Sequence, residues 1–201
     1  MIIFFGDSLT SGENNNFESF VEKLKFIDYK NNGISGTCIG NYSIYPVSNN
    51  NLIDKLYSDK DLCKADKIIL EYSSNDVSSV LCDYTSISKV KINLIKCIDF
   101  IKQNNKNCNI YFILLGENKY SLAEGQCKYL SNDYLKSFEK IYSREKWLEI
   151  YDELYYFIKS LETLKVIEIP LLQRDEIDLD GMHPNDKGYE KIASYLKEIL
   201  G

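Results

Sequence analysis

The sequence predicts an α/β fold: a three-layer α/β/α sandwich with a five-stranded parallel sheet. Two observations carry this expectation. Short apolar runs, continuous rather than alternating, recur along the chain, as strands buried on both faces require. Between them lie segments with apolar residues at helical spacing, and strand–helix alternation implies parallel strands covered by helices. At 201 residues the chain is long enough for one full core. No repeat, proline-rich linker or compositional break divides it, so residues 1–201 are expected to form a single domain.

The elements follow in order. Ile2–Phe5 is an apolar run ended by Gly6 and reads as a buried strand. Phe17, Phe20, Val21 and Leu24 follow at helical spacing. A second strand is placed near Phe26–Tyr29, before the turn-rich Asn31–Gly36, and a short helix at 50–58. Lys67–Tyr72, with Ile68, Ile69 and Leu70 at its centre, is the third strand. Ile87, Val90, Leu94, Ile98 and Ile101 mark a helix of about 18 residues. Ile110–Leu115, closed by Gly116, is the fourth strand. The 117–135 stretch reads as polar and turn-rich, and Phe138 to Leu161 as one long or broken helix. Val166–Ile169, stopped by Pro170, is the last strand, and Ile192, Ala193, Leu196 and Leu200 make the final helix.

Composition excludes several function classes. The net charge is −6, from 24 Lys+Arg against 30 Asp+Glu. Binding to a phosphate backbone calls for a basic surface, so no nucleic-acid partner is expected. Anionic lipid would repel the same charge, no apolar run approaches the ~20 residues that span a bilayer, and Met1 runs straight into a strand rather than a leader. The expectation is therefore no membrane partner and a cytoplasmic location. The six cysteines, Cys38, Cys63, Cys82, Cys97, Cys108 and Cys127, form no CxxC pair. The one histidine lies far beyond them, so no metal site is expected, and the thiols read as reduced and mostly buried.

In open parallel sheets, ligands bind beyond the carboxyl ends of the strands. Four polar clusters fall there: Gly6-Asp7-Ser8-Leu9, Gly33-Ile34-Ser35-Gly36, Ser73-Ser74-Asn75-Asp76 and Asp180-Gly181-Met182-His183-Pro184-Asn185. Acyl transfer needs these parts. A serine hydroxyl is a poor nucleophile until a base takes its proton. Imidazole does so near neutrality, and a carboxylate on its other nitrogen fixes the tautomer. His183 is the only imidazole in the chain, and Asp180, three residues earlier, is within reach of it. The oxyanion of a tetrahedral intermediate needs donors; the N–H of Ser8, the N–H of Gly36 and the side-chain amide of Asn75 are the candidates.

These residues resemble the GDSL-type esterases, or SGNH hydrolases. Gly6–Leu9 matches that family's GDSL motif, Asn75-Asp76 its GxND block, and Asp180, His183 and Pro184 its DxxH-Pro block. Gly36 corresponds to the glycine whose N–H meets the oxyanion. Ser73 departs from the family, which has glycine there. Each motif alone is common; their joint placement, each after its own strand, carries the resemblance. It implies a flavodoxin-like hydrolase fold and catalytic Ser8, Asp180 and His183, with Ser8, Gly36 and Asn75 as the oxyanion hole. No cofactor or metal is implied. The implied substrates are small-molecule esters, thioesters or O-acetylated sugars.

Other readings of the same residues stand beside this one. Ser8 also suits a helix N-cap, and His183-Pro184 an ordinary turn. Asp7 fits a hydrogen bond within its own turn better than acid catalysis. Asp178 competes with Asp180, though its spacing is less favourable. Asp76 is expected to organise the loop around Asn75, and Ser35 and Gly33 to serve a turn. Tyr42, Tyr45 and Tyr84 fit packing and surface roles better than a pocket lining. The 171–179 stretch reads as a solvated loop, and loops 76–86 and 116–135 are expected to set specificity. An acyltransferase would use the same residues, and a non-catalytic binding protein could retain the pocket.

Overall fold

A computed structural model describes residues 1–44, 50–130 and 143–201. Five strands form one sheet: β1 (Ile2–Gly6), β2 (Tyr29–Asn31), β3 (Lys67–Glu71), β4 (Asn109–Leu114) and β5 (Leu164–Glu168). Their spatial order is β2-β1-β3-β4-β5, and every pairing is parallel. The α/β/α expectation therefore holds. β1 and β3 are adjacent and in register from Ile2 opposite Lys67 to Gly6 opposite Glu71. Both strands thus end at the same level, and the chain after each enters the same crevice. Because the order turns back at β1, that crevice is the topological switch point of the sheet.

The helices are α1 (Ser8–Ser11), α2 (Phe20–Leu24), α3 (Leu52–Ser58), α4 (Ser74–Leu81), α5 (Ile87–Asn104), α6 (Lys119–Tyr129), α7 (Arg144–Lys159) and α8 (Asp186–Leu200). Their main mutual contacts fall into two sets, α2 with α1 and α8, and α3 to α7 with one another. Successive residues in the central strands, such as Ile3, Phe4 and Phe5 or Ile68, Ile69 and Leu70, are all buried. Both faces of the sheet are therefore covered, as the continuous apolar runs require. In α5, Val90, Leu94, Cys97, Ile98 and Ile101 make one buried stripe. In α7, Trp147 stacks on Tyr151 with centroids 5.4 Å apart. The Trp147 indole N–H donates to the Ser78 hydroxyl at 3.1 Å, tying α7 to α4.

Several boundaries differ from the sequence reading. The second strand is Tyr29–Asn31, not Phe26–Tyr29, and Ile27 stands fully exposed. This edge strand pairs only with β1, so register with β1 decides its place and apolar content does not. Lys30 on it is held by Asp59 at 2.9 Å and by Asp61 at 3.4 Å. Phe17 lies outside α2 with a left-handed φ of 63°. The helix starts after Ser19, whose hydroxyl and Glu22 form a capping box. The 117–135 stretch holds a helix, α6, rather than turns as far as residue 130; 131–135 lie outside the described residues. Its buried face is Leu122, Ala123, Gln126 and Cys127, a stripe too small and polar to register as amphipathic. The 76–86 loop is mostly α4, whose buried face is built of Asn75, Asp76, Ser78 and Ser79 with Val77. α7 begins at Arg144 with Ser143 as its cap, and the expected helical residues 138–142 lie outside the described part.

All six cysteines are free, and Cys38, Cys97, Cys108 and Cys127 are buried. No described helix is long and apolar enough to cross a membrane. The α5 stripe gives a direct test of packing. Leu94→Ala, at a position with no exposure, should lower unfolding free energy by about 2–5 kcal/mol. Its neighbour Ile95, 41% exposed, should cost no more than about 1 kcal/mol when cut to alanine. Urea denaturation of both variants measures the contrast.

Candidate active site

The turn after β1 places Ser8. Asp7, not Ser8, is the N-cap of α1: its Oδ1 accepts the Leu9 N–H at 3.1 Å. Ser8 is then the first helical residue and half-buried. The close fit of Gly6 keeps this turn tight, since a Cβ there would fall 1.9 Å from Thr10 Oγ1.

The loop before α8 brings His183 to that serine. An isolated antiparallel bridge joins Ile177 to Pro184, and the Asp178 N–H donates to the His183 carbonyl at 2.8 Å. Gly181 takes the left-handed turn at φ 74°. Asn14, just beyond α1, donates from its amide to the Pro184 carbonyl at 3.0 Å, docking this loop against the β1 turn. As a result His183 Nε2 lies 2.8 Å from Ser8 Oγ, although 175 positions separate them. On the other side His183 Nδ1 is 2.5 Å from Asp180 Oδ2. The second oxygen of Asp180 accepts the Met182 and His183 N–H groups at 2.8 and 3.0 Å. A proton on Nδ1, donated to Asp180, leaves Nε2 to accept from the serine hydroxyl. Asp178, the competing carboxylate, accepts the Leu179 N–H at 2.7 Å.

Electrostatics follow this geometry. Burial pushes the His183 pKa down, but the hydrogen bond and charge of Asp180, with the charges of Asp7 and Asp178, more than offset it. The net shift is upward from 6.5. Burial pushes Asp180 up, and its hydrogen bonds from the His183 ring and two backbone N–H groups outweigh that, leaving it at about 2. Asp180 is thus ionised whenever His183 titrates.

The second and third clusters close the site. Asn75 lies in the first turn of α4, buried, and its amide nitrogen is 3.1 Å from both Asp7 Oδ2 and the Thr37 carbonyl. Gly36 precedes Thr37 and has φ 76°, a conformation that favours glycine. Its carbonyl accepts the Ser43 hydroxyl at 2.5 Å. Asp76, expected to organise the loop around Asn75, instead ties down the segment after Gly36: its Oδ1 accepts the Ile39 N–H at 3.0 Å and the Tyr42 hydroxyl at 2.7 Å. Burial, only partly opposed by those donors, lifts Asp76 to about 7. Ser35 bonds the Ser11 hydroxyl at 3.2 Å. Gly33 permits a close approach, because a Cβ there would meet the Ser11 nitrogen at 2.5 Å. Tyr42 is buried, Tyr84 is exposed, and Tyr45 lies outside the described residues.

Sequence reasoning missed two partners of this site. Asp7 reaches beyond its own turn to Ser74 and Asn75. Glu71, at the end of β3, is buried and accepts the Thr10 hydroxyl at 3.0 Å. A lone acid closing an apolar strand was the available signal for Glu71; hydrogen bonds across more than 60 residues leave no spacing to read.

A family model described as GDSL-like Lipase/Acylhydrolase matches residues 2–196. No curated protein matches the sequence. Among solved structures, the chain is similar to a candidate platelet activating factor from Streptococcus pneumonia, at 19% identity and TM-score 0.62, over 100% of this chain and 83% of that one. It is also similar to a candidate GDSL-like lipase from Parabacteroides merdae, at 18% identity and TM-score 0.61, over 98% and 93% of the two chains. An acetyl xylan esterase from Butyrivibrio proteoclasticus matches at 16% identity and TM-score 0.57, over 99% of this chain and 62% of that one.

Because the chain holds a single histidine, its ring gives one pair of carbon-bound proton resonances. NMR titration of those signals should show a midpoint above 6.5, following the upward shift at His183. Asp180→Asn should move the midpoint to lower pH, since it removes the charge that stabilises imidazolium.

Proposed function

Since this chain belongs to the GDSL-like lipase/acylhydrolase family and is a hydrolase acting on esters, we propose that it works through an acyl-enzyme on Ser8. The observation that carries this reading is the continuous line from Ser8 Oγ through His183 to Asp180, with steps of 2.8 and 2.5 Å. His183 accepts the serine proton as Oγ attacks the ester carbonyl. Imidazolium forms beside an ionised Asp180, which stabilises it. The same proton then passes to the departing alcohol, and His183 next deprotonates the water that cleaves the acyl-enzyme.

The developing oxyanion receives the N–H of Ser8, the N–H of Gly36 and the Asn75 amide. Both hydrogens of that amide have acceptors in the resting site, Asp7 and the Thr37 carbonyl. In this reading the hydrogen on Thr37 turns to the oxyanion while Asp7 keeps the other. The donor is then stronger toward the charged intermediate than toward the substrate, which is what lowers a barrier. The substrates in this reading are small esters. The acetyl xylan esterase among the similar structures supports including acylated carbohydrates in the class.

Ser8→Ala should lower hydrolysis of p-nitrophenyl acetate by at least ~10³ with the fold retained. Wild-type turnover by that purified variant would refute the nucleophile. Asn75→Ala should cost about 10²–10³ in kcat; a loss under about fivefold would remove its amide from the oxyanion hole. A substrate panel from acetyl to long-chain esters, with thioesters and acetylated sugars, defines the class.

A further inference from the structure

We propose that Asp7 is a positioning residue for this reaction, its carboxylate locking the Asn75 amide to the turn that carries Ser8; the inference rests on the serine reading above. A cap for α1 requires only the bond from the Leu9 N–H to Oδ1. The other oxygen of Asp7 does something further: it accepts the Ser74 hydroxyl at 3.2 Å and the Asn75 amide at 3.1 Å, across 67 and 68 positions. Asp7 is wholly buried, so no water competes for these donors. With one amide hydrogen held by Asp7, the planar amide has a single direction left for the other. Removing the carboxylate frees that rotation, and the oxyanion donor must then be ordered at each turnover.

The charge of Asp7 also bears on His183. Burial raises the Asp7 carboxyl, while the Leu9 N–H, Glu71 and Ser74 act against this. Glu71 accepts the Thr10 hydroxyl and is hydrogen-bonded to Asp7, and burial and the charge of Asp7 push it well above the carboxylate range. Both acids are raised, Glu71 the further, so of the two the shared proton favours Glu71 and the charge favours Asp7. The other titratable groups facing this spot are Tyr72 at the end of β3, Cys38 after the Gly36 turn, Asp76 on α4 and Tyr189 on α8. Burial raises all four; Tyr72, Cys38 and Tyr189 are neutral through the working range. Asp76 stands at about 7, raised by burial and in part by the charge of Asp7, so the Asp7 variants move its titration to lower pH as well. The charge of Asp7 is one of the causes that raise His183, so its loss moves the acid limb of the rate profile to lower pH.

The test compares Asp7→Asn with Asp7→Ser, which keeps a capping oxygen for α1 but cannot reach Asn75. Both should lower kcat about 10–100-fold with KM changed less than about threefold, and both should shift the acid limb down. On an Asn75→Ala background, Asp7→Ser should cost less than about threefold more, because the group it positions is gone. Glu71→Gln, which keeps a neutral donor beside Asp7, should leave the acid limb in place. Folded Asp7 variants with parental kcat and pH profile overturn the proposal. So does a full penalty on the Asn75→Ala background, or failure of both variants to fold, which would assign Asp7 to the scaffold alone. Ser8→Ala assayed alongside separates the two ideas: its retained activity would sink the serine reading whatever the Asp7 variants do.

Discussion

A hydroxyl at the start of the chain and an imidazole near its end meet at 2.8 Å, and the arrangement of the rest can be understood as the means of holding that contact. Neither partner has much freedom of its own. Ser8 is fixed by a strand end, a glycine pressed on Thr10 and an aspartate cap. His183 is fixed by a bridge between Ile177 and Pro184, a left-handed glycine and an aspartate that grips both its ring and its backbone. The halves are joined by the packing of α2 on α8 and by polar contacts, among them Asn14 to the Pro184 carbonyl and the Tyr189 hydroxyl to Asn14. A contact of hydrogen-bond length between remote segments is maintained by the stiffness of the two frames more than by its own energy, which is only about 1 kcal/mol net.

Beneath this contact lies an unusual concentration of buried acid: Asp7, Glu71 and Asp76 are all within 4% of full burial. Three charges there would be prohibitive. The site avoids that cost by unequal hydrogen bonding. Asp7 receives several donors, Glu71 the Thr10 hydroxyl and a bond shared with Asp7, and Asp76 two donors on one oxygen. Environment, not residue type, shifts these acids by different amounts, Glu71 well above its ordinary range. The charges of Asp180 and of Asp7 behind the serine both favour the protonated form of His183.

Much of this was legible in the sequence, for physical reasons that can be named. Ile2–Phe5, Lys67–Tyr72 and Ile110–Leu115 announce strands because both their faces are buried, so every side chain carries the signal. The Gly6–Leu9 and Ser73–Asp76 clusters stand out because each interrupts such a run at its carboxyl end. Asp180 and His183 pair as their three-residue spacing suggested, and Ser8 meets them across 175 positions at the carboxyl rim of the sheet. The illegible parts are those whose burial is polar or small. α4 hides Asn75, Asp76, Ser78 and Ser79 in contacts that only folding creates. α6 packs Ala123 and Gly125 so closely that a Cβ on the glycine would meet Met182 Cγ at 2.3 Å. Such surfaces look like loops to any reading based on hydrophobicity. Asp7 was read as a turn residue and is one, but its second oxygen serves a different segment, and nothing local records that.

The outer strand β2 has a consequence for the behaviour of many copies in one vessel. A sheet border offers unpaired backbone groups to any passing strand. Here the border is only three residues long, and its central lysine is fastened by Asp59 and Asp61. A foreign strand docking there would find few partners and would have to displace or desolvate that ion cluster. At the opposite border, β5 carries Lys165 and Glu168. The parallel sheet therefore ends in charge on both sides, which disfavours its growth into fibrous aggregates.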